Sequence, residues 1–182
     1  MDDSRIIELY KAGEKRQAFN LMVRGYSERL YWIIRGIVQT HVDTDDALQN
    51  TWMSVWNALD TFREDSKLYT WLYRIATNEA LTLLRKNRLR AALSFSDYSA
   101  AVENSLAADV TFNGDKLQLA LQKAIATLPP RQKAVFTMRY FEEMPYEEMT
   151  EILGVSESSL KTSFHLARQK VTEIIKKSDI ED

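Results

Sequence analysis

Apolar residues in this chain recur at three- and four-residue intervals, and no segment alternates apolar with polar long enough to make a strand. The chain is therefore expected to be all-α. Over 19–38, Phe19, Met22, Val23, Tyr26, Leu30, Ile33, Ile34 and Ile37 share one side of an amphipathic helix. Asp43 or Thr44 is the expected cap of a second helix, whose buried stripe is Leu48, Trp52, Val55 and Leu59. A loop over 62–69 follows, and Thr70 is the expected cap of a third helix. With only 5 Gly and 3 Pro in 182 residues, little interrupts such helices.

The same pattern weakens in one place. Residues 91–115 are rich in Ser, Ala, Asp and Asn, and the apolar ones among them (Leu93, Phe95, Val102, Leu106, Val110, Phe112) are too few for a core, so the segment reads as a flexible linker. Helical spacing resumes with Leu117, Leu121, Ala124, Ile125 and Leu128, and Pro129 and Pro130 stop that helix, Pro130 opening the next. Two small helical domains are expected, 1–90 and 116–178, joined by the linker at 91–115.

Charge follows the same division. The net charge of −2 argues against a uniformly basic coat. Arg85, Lys86, Arg88 and Arg90 form one basic cluster, and Lys161, Arg168, Lys170, Lys176 and Lys177 form another. The linker between them carries Asp97, Glu103, Asp109 and Asp115 and no Lys or Arg. Such runs are commonly solvated surface, so charge alone decides nothing.

Several functions are excluded more firmly. Without cysteine there are no disulfides, thiolate metal sites or cysteine nucleophiles, which fits a cytoplasmic protein. His41 and His165 lie far apart, neither belongs to a paired-histidine helical metal motif, and no metal or cofactor is expected. Serine hydrolase and P-loop signatures are missing, as are a leader and an apolar run long enough to enter a membrane. A carboxylate site around Glu142, Glu143, Glu147 and Glu148 has no histidine to complete it, so no enzyme activity is expected.

The second domain carries helix-turn-helix chemistry. Residues 146–153 make a short helix, Gly154, Val155 and Ser156 a tight turn, and 158–175 a longer helix. Gly154 suits a left-handed exit, Val155 the angle between the helices, and Ser156 the next cap. Leu160, Phe164, Ala167, Val171 and Ile174 define the buried face of the longer helix. At 100° per residue, Ser158, Thr162, His165 and Gln169 fall opposite, with Lys161 and Arg168 at the edge. Hydroxyls, an imidazole and an amide suit base edges in a major groove, and the flanking cations suit phosphates.

The same rotation after Thr70 puts Leu72, Ile75, Ala76 and Leu83 on one face and Arg74, Thr77, Asn78, Arg85 and Arg88 on the other, with Leu81 among them. That basic face suits a phosphate backbone. Trp71 and Tyr73 beside it could stack on unpaired bases, although core packing is the commoner fate of such aromatics and is the reading kept for Trp71.

Taken together, these stretches resemble the extracytoplasmic-function sigma factors of the sigma-70 family. DTDDALQNTWMSVWNAL at 43–59 resembles the family's core-polymerase-binding segment. Residues 62–76, ending in TWLYRIA, resemble its promoter-melting segment, and 78–88 its −10-reading helix. LPPRQKAVF at 128–136, YEEMTEILG at 146–154 and SLKT at 159–162 are similar to its −35-reading domain. The resemblance covers most of the chain outside the linker, and the motifs occur in the family's order.

The resemblance implies a protein that binds core RNA polymerase through the beta-prime and beta subunits, contacts promoter DNA, and has an anti-sigma factor as a further partner. Asp45, Asp46, Gln49, Asn50 and Trp56 would dock on the polymerase clamp. The 62–69 loop, with Arg63, Ser66, Lys67 and Tyr69, would hold a base flipped from the melted strand, and Arg74, Asn78, Arg85 and Arg88 would sit at the −10 DNA. Lys161, Thr162 and His165 would face the −35 groove, beside Ser158, Arg168 and Gln169 from the rotation above. The acidic linker would thread the channel that later carries RNA. Ser163 and Leu166 depart from a frequent Arg, and Thr150 from a small Ala. A dimeric operator-binding regulator would account for the second domain but leave 43–59 and 62–88 without a role.

Overall fold

The structure, a computed structural model, describes residues 3–62, 66–94, 98–109 and 116–178. Among these every regular element is a helix: α1 (Asp3–Lys11), α2 (Lys15–Val38), α3 (His41–Ala58), α4 (Leu68–Leu93), α5 (Tyr98–Ala107), α6 (Lys116–Ala126), α7 (Pro130–Phe136), α8 (Tyr146–Leu153) and α9 (Glu157–Ser178), with a 3-10 turn at Leu59–Thr61 and a π-helical turn, Thr137–Phe141, prolonging α7. No described helix is long and apolar enough to cross a membrane.

Helices α1 to α4 pack around α2, whose Met22, Tyr26, Leu30, Ile33, Ile34 and Ile37 are all buried. The Tyr26 hydroxyl donates to Asp3 Oδ1 at 2.6 Å and ties α1 to this bundle. Thr40, rather than Asp43 or Thr44, caps α3: its side chain accepts from the Asp43 amide, while Thr44 is buried and bonds back to the Thr40 carbonyl. Helix α4 begins two residues before Thr70, which is also buried.

α4 is enclosed on two sides, by α2 and α3 on one and by α7 and α8 on the other. A single rotation therefore misassigns part of it. Thr77 and Leu81 are buried, not on the outer face, and Tyr73 is a core residue whose phenol burial pushes up to about 12. Trp71 packs at the core's edge with its ring centroid 5.1 Å from Phe62.

In the C-terminal half, Phe136 is stacked on Tyr140 and packed near Phe164, over a small core of Ala124, Ile125, Leu128, Ala167 and Val171. Pro130 stands in the first turn of α7, and Gly154 leaves α8 at φ 64 as the spacing requires. Ser156 Oγ accepts from the Ser159 amide and caps α9.

The two halves do not sit apart. Ala134, Val135, Met138, Met144, Met149, Ile152 and Leu160 join one continuous apolar cluster with the residues of α2 to α4. The linker also departs from expectation, for it contains α5, whose Val102 and Leu106 are buried with Ala126 of α6. Six apolar residues do not make a core alone, but two of them suffice against a helix that supplies the other side.

Candidate functional site

The residues expected to meet polymerase line one side of α3. Asp45, Asp46, Gln49, Asn50 and Trp56 are all exposed there. Lys15 Nζ lies 4.8 Å from the Trp56 ring centroid and Phe19 packs edge-on at 5.1 Å, so the indole is held rather than free to swing. Met53, 58% exposed, joins Phe19, Gln49, Trp52, Trp56 and Asn57 around a shallow groove of 400 Å³. Met53 escaped the sequence reading although it stands four residues after Gln49 and three before Trp56, on the same face.

The residues expected at −10 DNA behave differently. Asn78 and Arg85 are exposed on α4. Arg63 lies outside the described residues, and Ser66 is half-buried. Four others reach toward the C-terminal half. Lys67 Nζ is 3.5 Å from Glu148 Oε1, Arg74 Nε donates to the Glu151 carbonyl at 2.9 Å with Nη2 on the same oxygen, and Arg88 Nη2 donates to the Leu128 carbonyl at 3.3 Å. The Tyr69 hydroxyl is buried without a well-formed hydrogen bond, and burial, with the nearby Glu148 carboxylate, pushes its phenol up to about 12. Ser66, Lys67, Tyr69 and Thr70 face Glu148 and Glu151 across a cavity of 510 Å³.

The residues expected at −35 DNA have no such cover. Ser158, Lys161, Thr162, His165, Arg168 and Gln169 are all exposed on α9, with Leu160, Ala167 and Val171 buried behind them. Lys161 pairs with Glu157 at 2.6 Å, which raises its pKa first through that hydrogen bond and then through charge, so the side chain stays cationic. Leu166 is exposed on the same helix.

Two polar clusters tie the N-terminal half to the segments that follow it. Asp109, from the segment read as a solvated linker, is buried in an ion pair with Arg35 of α2, and His41 Nε2 lies 3.1 Å from the same carboxylate. Tyr31 Oη is 2.6 Å from His41 Nδ1. Beside them Lys133 is 1% exposed, and its Nζ donates to Gln39 Oε1 at 2.8 Å while Gln39 Nε2 donates to the Gln122 carbonyl at 2.9 Å. Gln39 holds a left-handed backbone, φ 68, at the end of α2, a conformation retained because its side chain is fixed from both sides.

Burial, and then the neighbouring Arg88 charge, lower the Lys133 pKa to about 7. The unfolded chain keeps an ordinary lysine, so between about pH 7 and 10 it binds a proton that the folded chain lacks. Stability should therefore rise with pH from 7 to 9, at up to about 1.4 kcal/mol per pH unit, and change little from this group below 7. Urea midpoints across that range should show the rise in the wild type and a flatter profile in Lys133→Met. Equal slopes in both would assign the effect to another group.

The described residues contain no cluster of His, Asp and Glu suited to a metal ion. What the surface does offer is a cationic and aromatic edge on α4, a polar stripe on α9, and an acidic and aromatic face on α3.

Two family models match in the order of these surfaces: Sigma-70 region 2 over residues 22–90 and Sigma-70, region 4 over 118–171. The RNA polymerase sigma-H factor of Pseudomonas aeruginosa is 27% identical over 177 residues, covering 93% of this chain and 91% of that protein. The ECF RNA polymerase sigma-E factor of Escherichia coli K12 is 28% identical over 179 residues, covering 94% and 93%. Among solved structures, CnrH in complex with the cytosolic domain of CnrY matches with a TM-score of 0.68 at 24% identity, over 96% of this chain and 98% of that one. The sigma factor RpoE of Bartonella quintana, in complex with the anti-sigma factor NepR, matches with a TM-score of 0.65 at 22% identity, over 87% and 96%. These two likenesses establish the fold.

Proposed function

The chain belongs to the sigma-70 family as an extracytoplasmic-function sigma factor, and from that premise we propose how its surfaces divide the work. The protein binds core RNA polymerase and directs promoter-specific transcription initiation. Sigma factors regulate initiation and do not catalyse.

Residues 1–90 form the polymerase-binding and −10 domain, 91–115 the connection, and 116–178 the −35 domain. The α3 face with Asp45, Asp46, Gln49, Asn50 and Trp56 docks on the clamp of the beta-prime subunit, with Met53 completing its apolar part. Arg63, Ser66, Lys67, Tyr69, Arg74, Asn78, Arg85 and Arg88 serve the −10 element, the loop residues holding a base out of the melted strand. On α9, Ser158, Thr162, His165 and Gln169 read base edges, and Lys161 and Arg168 hold phosphates. An anti-sigma factor is a further partner, as NepR is for the Bartonella protein. The observation that carries the reading is the stripe on α9: all six of its expected contact residues are exposed over a buried apolar stripe.

Run-off transcription with core polymerase on promoters of this group tests the whole reading, and core-independent, tight operator binding would replace it with that of an autonomous regulator. Two substitutions separate the roles on α9. Lys161→Ala should weaken binding on every sequence and lower the salt slope by about one. His165→Ala should change base preference within the −35 element, by about 1–3 kcal/mol at one position. Identical promoter profiles for wild type and His165→Ala would leave His165 a solvated surface residue.

A further inference from the structure

We propose that the cleft where α2, α6 and the π turn meet is a binding site for a small organic cation, a primary ammonium carried on an apolar body the size of one ring. Its lining shares no residue with the polymerase and promoter surfaces proposed above.

The cleft encloses 360 Å³, a volume within the range of small-molecule sites. Two exposed aromatics stand at its mouth, Trp32 of α2 and Phe141 of the π turn. Both rings are held by neighbours: Trp32 packs edge-on against Tyr31 at 5.4 Å, and Phe141 against Tyr140 at 5.1 Å. The floor is made by Thr137 and by Gly36, where an added Cβ would meet the Thr137 side chain. The Thr137 hydroxyl is buried and has no hydrogen-bond partner among the described residues. The π turn is what assembles this wall. Its Glu142 amide donates to the Thr137 carbonyl at 3.4 Å, an i→i+5 bond that brings Glu142 back over Thr137. On a continuous α-helix Glu142 would stand about 140° round from Thr137 and could not line the same cleft.

Charge selects the ligand. Glu142 has no ion-pair partner among the described residues, and burial raises its carboxyl pKa more than the Arg29 charge lowers it. Arg35 also lines the cleft, but its guanidinium is committed to the buried Asp109 carboxylate, and that pair adds no net charge. The uncompensated charge among the described lining residues is therefore the Glu142 carboxylate. An ammonium group uses every side of this wall. It pairs with Glu142, donates to the Thr137 hydroxyl and to the side-chain amide oxygen of Gln122 on α6, and gains from the faces of Trp32 and Phe141. A carboxylate or a phosphate would be repelled by Glu142, and an uncharged ring would leave that carboxylate unpaired.

Titration calorimetry on the full chain at neutral pH reads the site, with phenethylammonium as the probe. 3-Phenylpropionate and 2-phenylethanol carry the same ring with a negative charge and with none, and methylammonium carries the charge without the ring. Phenethylammonium should bind one site per chain with a Kd of about 1 mM or tighter. The three comparison compounds should bind at least about tenfold more weakly, as expected when a charge-assisted hydrogen bond or the ring contact is lost. Glu142→Gln should lose the same factor and bring phenethylammonium level with 2-phenylethanol, while Trp32→Ala should weaken it about threefold. Both substituted side chains are exposed, and circular dichroism checks that the variants keep the fold. No saturable binding at about tenfold the expected Kd would overturn the proposal. Equal affinities of the wild type for phenethylammonium and 2-phenylethanol would overturn it too. Binding that survives both Glu142→Gln and Trp32→Ala would place the probe elsewhere on the surface, and the cleft would then be no cation site.

Discussion

Asp109→Ala is expected to lower the folding stability of the free chain by about 3–5 kcal/mol, the cost of removing one partner from a buried ion pair. The Asp109 and Arg35 side chains are both buried, and the imidazole of His41 lies against the same carboxylate. Without the carboxylate, a guanidinium held in α2 loses the charge that offsets its desolvation. Asp109→Asn should lose nearly as much, because the amide keeps the shape but not the charge. The double variant Arg35→Met, Asp109→Leu should be less destabilised than the sum of its single changes, since it buries no charge at all. Urea denaturation of the four proteins gives the cycle, and additive losses would show that the pair contributes no coupling. Exchanging the linker acids for Lys is consequently no neutral test of a tether, because Asp109→Lys would set a second cation beside Arg35.

That pair also marks where the sequence stopped being legible. The helix-turn-helix could be read from its residues because its causes are local: Gly154 supplies the left-handed exit, Ser156 the cap, and Leu160 to Ile174 the buried stripe. The exposed face of α3 was legible only through the resemblance of residues 43–59, since periodicity gave no more than its buried stripe. Asp109 and Lys133 were not, since a charged residue is buried only where tertiary structure brings it a partner, and Arg35 and Gln39 are 74 and 94 residues away. Thr77, Leu81 and Tyr73 of α4 looked solvent-facing because periodicity identifies one buried stripe, whereas α4 is enclosed by both halves. The short helix α5 depends on α6 for its apolar surface, so its own composition could not announce it.

The halves share a seam but not all of their core, and that difference is measurable. Phe136 is 1% exposed at the centre of the small C-terminal core, stacked on Tyr140 and packed near Phe164. Phe136→Ala should destabilise this half by about 3–5 kcal/mol, because the removed ring leaves a cavity that a few small neighbours cannot fill. The bundle of α1 to α4 keeps its own interior, from Ile6 and Leu30 to Leu72 and Leu84, and loses only its seam contacts when α6 to α9 melt. All four tryptophans, Trp32, Trp52, Trp56 and Trp71, belong to that N-terminal bundle. Trp32 lines the seam with Gln122, Thr137 and Phe141, so tryptophan fluorescence follows mainly the N-terminal bundle with a smaller change from the seam, and far-ultraviolet circular dichroism follows both halves. In Phe136→Ala the dichroism should fall in two steps, the first well below the wild-type midpoint, while the fluorescence transition stays near its wild-type position. Coincident transitions by the two probes, both shifted down, would instead mean that the seam binds the halves into one cooperative unit.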